Sequence, residues 1–115
     1  IRSLQRDMSQ QRMMSDVGGA DVVVTNPTHV AIALKYDTEN MNAPVVLAKG
    51  QRLVAQRIKE IAREAGVPLV ENKPLARALF KAVQIGEQIP EELFRATAEV
   101  LAFVFQLKRR HTTAV

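Results

Sequence analysis

Four consecutive residues, Asn26-Pro27-Thr28-His29, carry the densest chemistry in this chain. An asparagine ordinarily loses its side-chain amide when the next residue's backbone N–H attacks it. Proline has no backbone N–H, so that route is closed at Asn26. The reverse attack stays open. The side-chain nitrogen of Asn26 can add to its own main-chain carbonyl carbon, forming a five-membered succinimide and breaking the bond to Pro27. Asn26 would then supply both nucleophile and scissile carbonyl, and the nitrogen of Pro27 would leave. In a loose peptide this is slow, because an amide nitrogen is a poor nucleophile and the leaving amine must gain a proton. A fold can hold attack geometry, an effect worth up to about 7–11 kcal/mol. It can also aim backbone donors at the developing oxyanion and supply a proton carrier. Histidine is the residue type suited to moving protons near neutral pH, and His29 stands two residues past Pro27. Thr28 could orient a water or brace the turn.

The same four residues also fit a plain bend, because Asn-Pro commonly opens turns. The residues alone leave both readings open. No other cluster competes. Asp37, Glu39 and Glu71 are scattered in loops, and there is no Gly-rich phosphate loop, Ser-His-Asp set or metal motif. Cysteine is absent and the only histidines are His29 and His111, so no metal or cofactor is expected.

The elements that must position Asn26 are readable around it. Asp21–Thr25 reads as a short strand, and the consecutive Val22, Val23 and Val24 call for burial on both faces. A second strand runs from His29 to Tyr36, with Val30, Ile32, Leu34 and Tyr36 on one side and His29, Ala31, Ala33 and Lys35 on the other. Asp37–Ala43 is a polar loop. A third strand covers Val45–Lys49 and is ended by Gly50. A helix follows over Gln51–Ala65, with Val54, Ile58, Ile61, Ala62 and Ala65 on its apolar stripe and Gly66 at its C-terminal cap. Val67–Glu71 makes a fourth strand, and strand–helix–strand implies a parallel pair. Pro74 opens another helix, stopped by Gly86. Pro90 opens the last, with Glu91 and Glu92 at its positive end and Phe94, Phe103 and Phe105 widening its buried stripe. The expected fold class is α/β: a small mixed sheet of about four strands covered by about four helices. Residues 1–19 read as a flexible linker helix broken at Gly18-Gly19, residues 20–107 as the domain, and residues 108–115 as a basic, disordered tail.

Length and composition fit one domain. The 115 residues are 47% hydrophobic and 24% charged, with a net charge of +4, a balance typical of globular proteins. Aromatics are only 4%, and a single-strand nucleic-acid binder would interleave more of them with its cations. No apolar run of about 18 residues exists, so no transmembrane span is expected. The chain begins at Ile1 without a signal-peptide pattern, which reads as a piece of a longer protein.

The run ADVVVTNPTHVAIALKY, followed in order by MNAPVVLAKG, PLARALFKAV and GEQIPEELFRATAEVLAFV, resembles the type III secretion export-switch family over about residues 20–107. The flagellar branch fits best. One departure is Gly18-Gly19, which stands where the resemblance leads one to expect a proline. The resemblance implies a cytoplasmic domain attached to an N-terminal transmembrane part in the bacterial inner membrane. It implies self-cleavage between Asn26 and Pro27 by asparagine cyclisation, with Thr28 and His29 completing the motif, and two pieces that stay associated through the sheet. Cleavage in this family permits a change of export from rod and hook proteins to filament proteins. The implied partners are the other export-gate membrane protein, the export ATPase complex, export substrates, the hook-length ruler protein and the domain's own cleaved N-terminal piece, with no nucleic acid. Such a protein is not a turnover enzyme, because the reaction consumes its own backbone. The alternative is a non-cleaving protein-binding module of the same fold.

Overall fold

In the computed structural model the backbone is described for residues 2–113, and side-chain surroundings for residues 8–109. The order is α1 (Arg2–Val17), β1 (Val22–Asn26), β2 (Val30–Lys35), β3 (Val45–Gln51), α2 (Leu53–Ala65), β4 (Leu69–Glu71), α3 (Lys73–Ala82), a 3-10 turn (Glu91–Leu93) and α4 (Phe94–Thr113). The strands form one mixed sheet in the order β3-β2-β1-β4. β1 is therefore an inner strand, antiparallel to β2 and parallel to β4. All five of its residues are buried, as three successive valines require.

The sheet sorts its side chains by parity into two cores. Val22, Val24, Val30, Ile32, Leu34 and Val46 pack under α3 and α4. On the other face Val23, Ala31, Ala33 and Ala48 meet α1 and α2. The alanines are small, which lets α2 approach closely. Gly50 marks the closest approach: a Cβ there would lie 2.2 Å from Cγ1 of Val54.

Several boundaries differ from those read in the sequence, each for a packing reason. β3 runs through Gly50 to Gln51, because Gly50 pairs with Ala31 and Gln51 with Val30. α2 then starts at Leu53, and Arg52 turns the corner with φ 54°. β2 starts at Val30, and His29 belongs to the turn. The fourth strand is shorter than Val67–Glu71, since Pro68 precedes the paired residues Leu69–Glu71. β3 and β4 run in one direction but occupy opposite edges, so the parallel partner of β4 is β1 rather than β3. α3 is capped by Asn72, whose side chain accepts from the Leu75 amide at 3.2 Å. It ends at Ala82 rather than near Gly86, because Val83 turns into the core and Gly86 donates to the Val46 carbonyl at 2.7 Å, along the edge of β3.

The two ends also differ. The lead-in is the helix expected, but its close is docked rather than flexible: Met13 and Val17 are buried against α2 and β3. The expected disordered tail continues α4, which stays helical to Thr113. Lys108 pairs there with Asp21 at 3.7 Å and tethers α4 to the entry of β1. The aromatics of α4 are not all buried. Phe94 is 40% and Phe103 53% exposed. Phe94 and Phe105 line an apolar groove with Tyr36, Pro44 and Leu101 beside the Asp37–Ala43 loop. No helix among the described residues is long and apolar enough to cross a membrane.

Candidate functional site

Asn26 is the last residue of β1, opposite Val30, and is 4% exposed. Pro27, Thr28 and His29 form the exposed turn into β2. The turn closes through the His29 amide, which donates to the Asn26 carbonyl oxygen at 2.9 Å. A buried asparagine at the end of an inner strand thus meets three exposed residues in one step of the chain. The carbonyl carbon that cyclisation would attack belongs to the group polarised by that donor. A backbone amide within hydrogen-bond reach of this oxygen is a candidate donor to the oxyanion that such an attack would form.

Parity places the Asn26 side chain on the α3 face, with Val22 and Val24. Thr28 Oγ1 and His29 Nδ1 lie 2.6 Å apart, which fixes the imidazole beside the turn. This hydroxyl–imidazole contact aims the ring, and the four residues of the motif share one small volume.

Three groups beyond the motif hold the turn in place. On the α2 face, Lys59 Nζ donates to the Pro27 carbonyl at 2.9 Å. The Arg52 amide donates to the His29 carbonyl at 3.1 Å. The strained φ of Arg52 therefore sits at a residue that anchors the site, a common location for backbone strain. Finally, the Asn72 amide donates to the Thr25 carbonyl at 3.0 Å and fastens the end of β1 to the start of α3. Sequence reasoning missed Lys59, Arg52 and Asn72. Lys59 is 32 residues from Pro27 and follows the core residue Ile58 on α2, and no local pattern announces its reach. Positive φ at a non-glycine residue leaves no sequence mark either.

A family profile described as the FlhB HrpN YscU SpaS family matches residues 1–104. The chain belongs to that family. The flagellar biosynthetic protein FlhB of Salmonella typhimurium is 58% identical over 109 residues, covering 95% of this chain and 28% of the relative. FlhB of Bacillus subtilis is 52% identical over 110 residues, covering 96% and 31%. The chain thus spans under a third of the length of these relatives. The crystal structure of the cytoplasmic domain of FlhB from Shewanella putrefaciens superposes with a TM-score of 0.85 at 48% identity, covering 91% of this chain and 80% of that one. Two variants of the EscU C-terminal domain, one with an asparagine and the other with the following proline changed to alanine, give TM-scores of 0.77 and 0.75 at 30% and 31% identity. They cover 80% and 79% of this chain and 92% and 90% of theirs. The mixed sheet with its helical cover is accordingly the fold of this family's cytoplasmic domain. In sequence and in fold, this family member corresponds to that part of the flagellar type III export proteins.

Proposed function

We propose that this domain cuts its own backbone once, between Asn26 and Pro27, and serves as the specificity switch of a flagellar type III export apparatus. The observation that carries the reading is the hydrogen bond from the His29 amide to the buried Asn26 carbonyl. In the reaction Nδ2 of Asn26 adds to that carbonyl carbon, and charge grows on an oxygen that already has its donor. The tetrahedral adduct collapses to the succinimide, and the Pro27 nitrogen leaves with a proton. His29, held by Thr28, relays that proton. Lys59 and Arg52 keep the turn from swinging away from Nδ2. The event is a single turnover and the domain is not an enzyme in the ordinary sense.

The order of the strands supports association after the cut. Residues 1–26 would keep β1 between β2 and β4, both of which belong to residues 27–115. Residues 1–26 also carry Met13 and Val17, which are buried against the rest of the domain. The cut domain would sit at the cytoplasmic side of the bacterial inner membrane, on an N-terminal membrane part. It would meet the other export-gate protein, the export ATPase complex, export substrates and the hook-length ruler protein. Cutting would permit the change from rod and hook to filament substrates.

The same turn hydrogen bond would close an ordinary bend in a non-cleaving binding module. Intact mass under denaturing conditions separates the two. The expected result is a pair of masses for residues 1–26 and 27–115, abolished by Asn26→Ala. A single 115-residue mass after long incubation overturns cleavage, and cutting that persists in Asn26→Ala overturns cyclisation.

A further inference from the structure

The cations that α3 presents to the cleft beside the cut site have no part in the chemistry above. The cleft's volume is about 320 Å³, and Asn26, His29, Gln51, Arg77, Phe80 and Lys81 line it. Arg77 and Lys81 are one helical turn apart on α3, and Lys73 stands one turn before them. α3 contains no acidic residue. From β3, Lys49 Nζ donates to the Phe80 carbonyl at 2.9 Å and lies 5.0 Å from the centre of its ring. Glu71 is opposite Thr25 in the β1–β4 register. Among the described residues neither Arg77 nor Lys81 makes an ion pair or hydrogen bond, with Glu71 or any other group. Two cations therefore flank a cleft whose lining residues include no carboxylate in the uncut chain.

We propose that Arg77 and Lys81 form the receiving site for the carboxylate that cleavage creates at residue 26. The inference rests on the self-cleavage reading. The Nδ2–C bond forms, the C–N bond to Pro27 breaks, and one Nδ2 proton ends on the Pro27 nitrogen. Water then adds across the imide and opens it to one carboxamide and one carboxylate, releasing a proton. Residue 26, already on the α3 face by parity, now carries a negative charge in front of a guanidinium and an ammonium. Charge-assisted hydrogen bonds of this type are stronger than neutral ones. The site thus gains its anion only after the cut and grips the end of β1.

The test compares Arg77→Gln/Lys81→Gln in two backgrounds, the self-cleaving chain and Asn26→Ala. The readout is the rate at which residues 1–26 exchange out of the cut domain, and the unfolding rate of the uncut variant. Release from the cut domain is expected to rise about five- to tenfold, while the uncut variant changes less than about twofold. Arg77→Lys/Lys81→Arg, which keeps both charges, should restore slow release. A cut domain that releases its piece no faster overturns the receiving site alone, as does an equal acceleration in the Asn26→Ala background. A wild-type chain that never cuts overturns the cleavage reading and the site with it.

Discussion

The amide of His29 lies 2.9 Å from the carbonyl oxygen of Asn26, so in the proposed cleavage the donor for the developing charge would come from the far side of the bond that breaks. Because the donor is backbone, no substitution at position 29 other than proline removes it. The imidazole and the amide of one residue therefore make separable contributions.

His29→Ala is accordingly expected to slow cleavage by about 100-fold, the size of a lost proton relay, and not to stop it. Thr28→Val frees the ring but keeps it, and should cost within about tenfold, the scale of one hydrogen bond. Time courses of the masses for residues 1–26 and 27–115 check both. Complete arrest in His29→Ala would mean that the backbone donor contributes nothing alone.

Lys59 acts on position, not on the proton. Lys59→Met removes the bond to the Pro27 carbonyl and should slow the cut by about tenfold. Thermal stability should hold within about 0.5 kcal/mol, since the contact is exposed. Lys59→Arg should recover most of the rate, which a loss by misfolding would not.

The corner between β3 and α2 predicts two opposite effects. Gly50→Ala drives a methyl into Val54 and should destabilise by roughly 1–3 kcal/mol in urea unfolding. Arg52→Gly relieves a φ of 54° and should stabilise by about 1 kcal/mol. A neutral Gly50→Ala would show that α2 can retreat from the sheet.

Thr97 is fully buried on α4, and its hydroxyl has no hydrogen-bond partner among the described residues. Thr97→Val keeps the shape and removes the stranded oxygen. The expected gain is about 1 kcal/mol, or about 4 °C in the melting midpoint.

Asp37 gives the loop beside the apolar groove a pH response. The Asn40 side chain at 2.7 Å, and after it the Glu39 amide at 3.0 Å, hold its carboxyl below the usual value. A lowered folded pKa favours the ordered loop above the ordinary carboxylate range and loses that support as pH falls through the lowered value. Protection of the Asn40 and Met41 amides, both bonded to the Asp37 carbonyl, should hold from neutral pH to about pH 4 and then decline. Asp37→Asn should leave protection low and flat throughout.

The strands around Asn26 were legible because three β-branched residues and a strict alternation fix burial and face. The reaction open to Asn26-Pro27 follows from the sequence because proline closes one route and leaves another. The partner of β4 was not legible, since a helix of 13 residues (α2) can carry the chain across any number of neighbouring strands. Phe94 and Phe103 read as core because aromatic residues usually fill cores, yet α4 turns them outward, whereas Thr97, Val100, Leu101 and Val104 face in as their helical spacing predicts. The ends misled in the same way. Met13 and Lys108 find their partners far away in the chain, and neither local periodicity nor composition encodes such distant contacts.

The inner position of β1 has one more consequence. In the uncut chain a three-residue turn tethers β1 to β2, and unfolding is unimolecular in both directions. Cutting that tether would change the order of the reaction. Any excursion that frees β1 then yields two molecules, and their return depends on concentration. A cut domain would be a kinetically held complex whose first piece, once lost at high dilution, would not be regained.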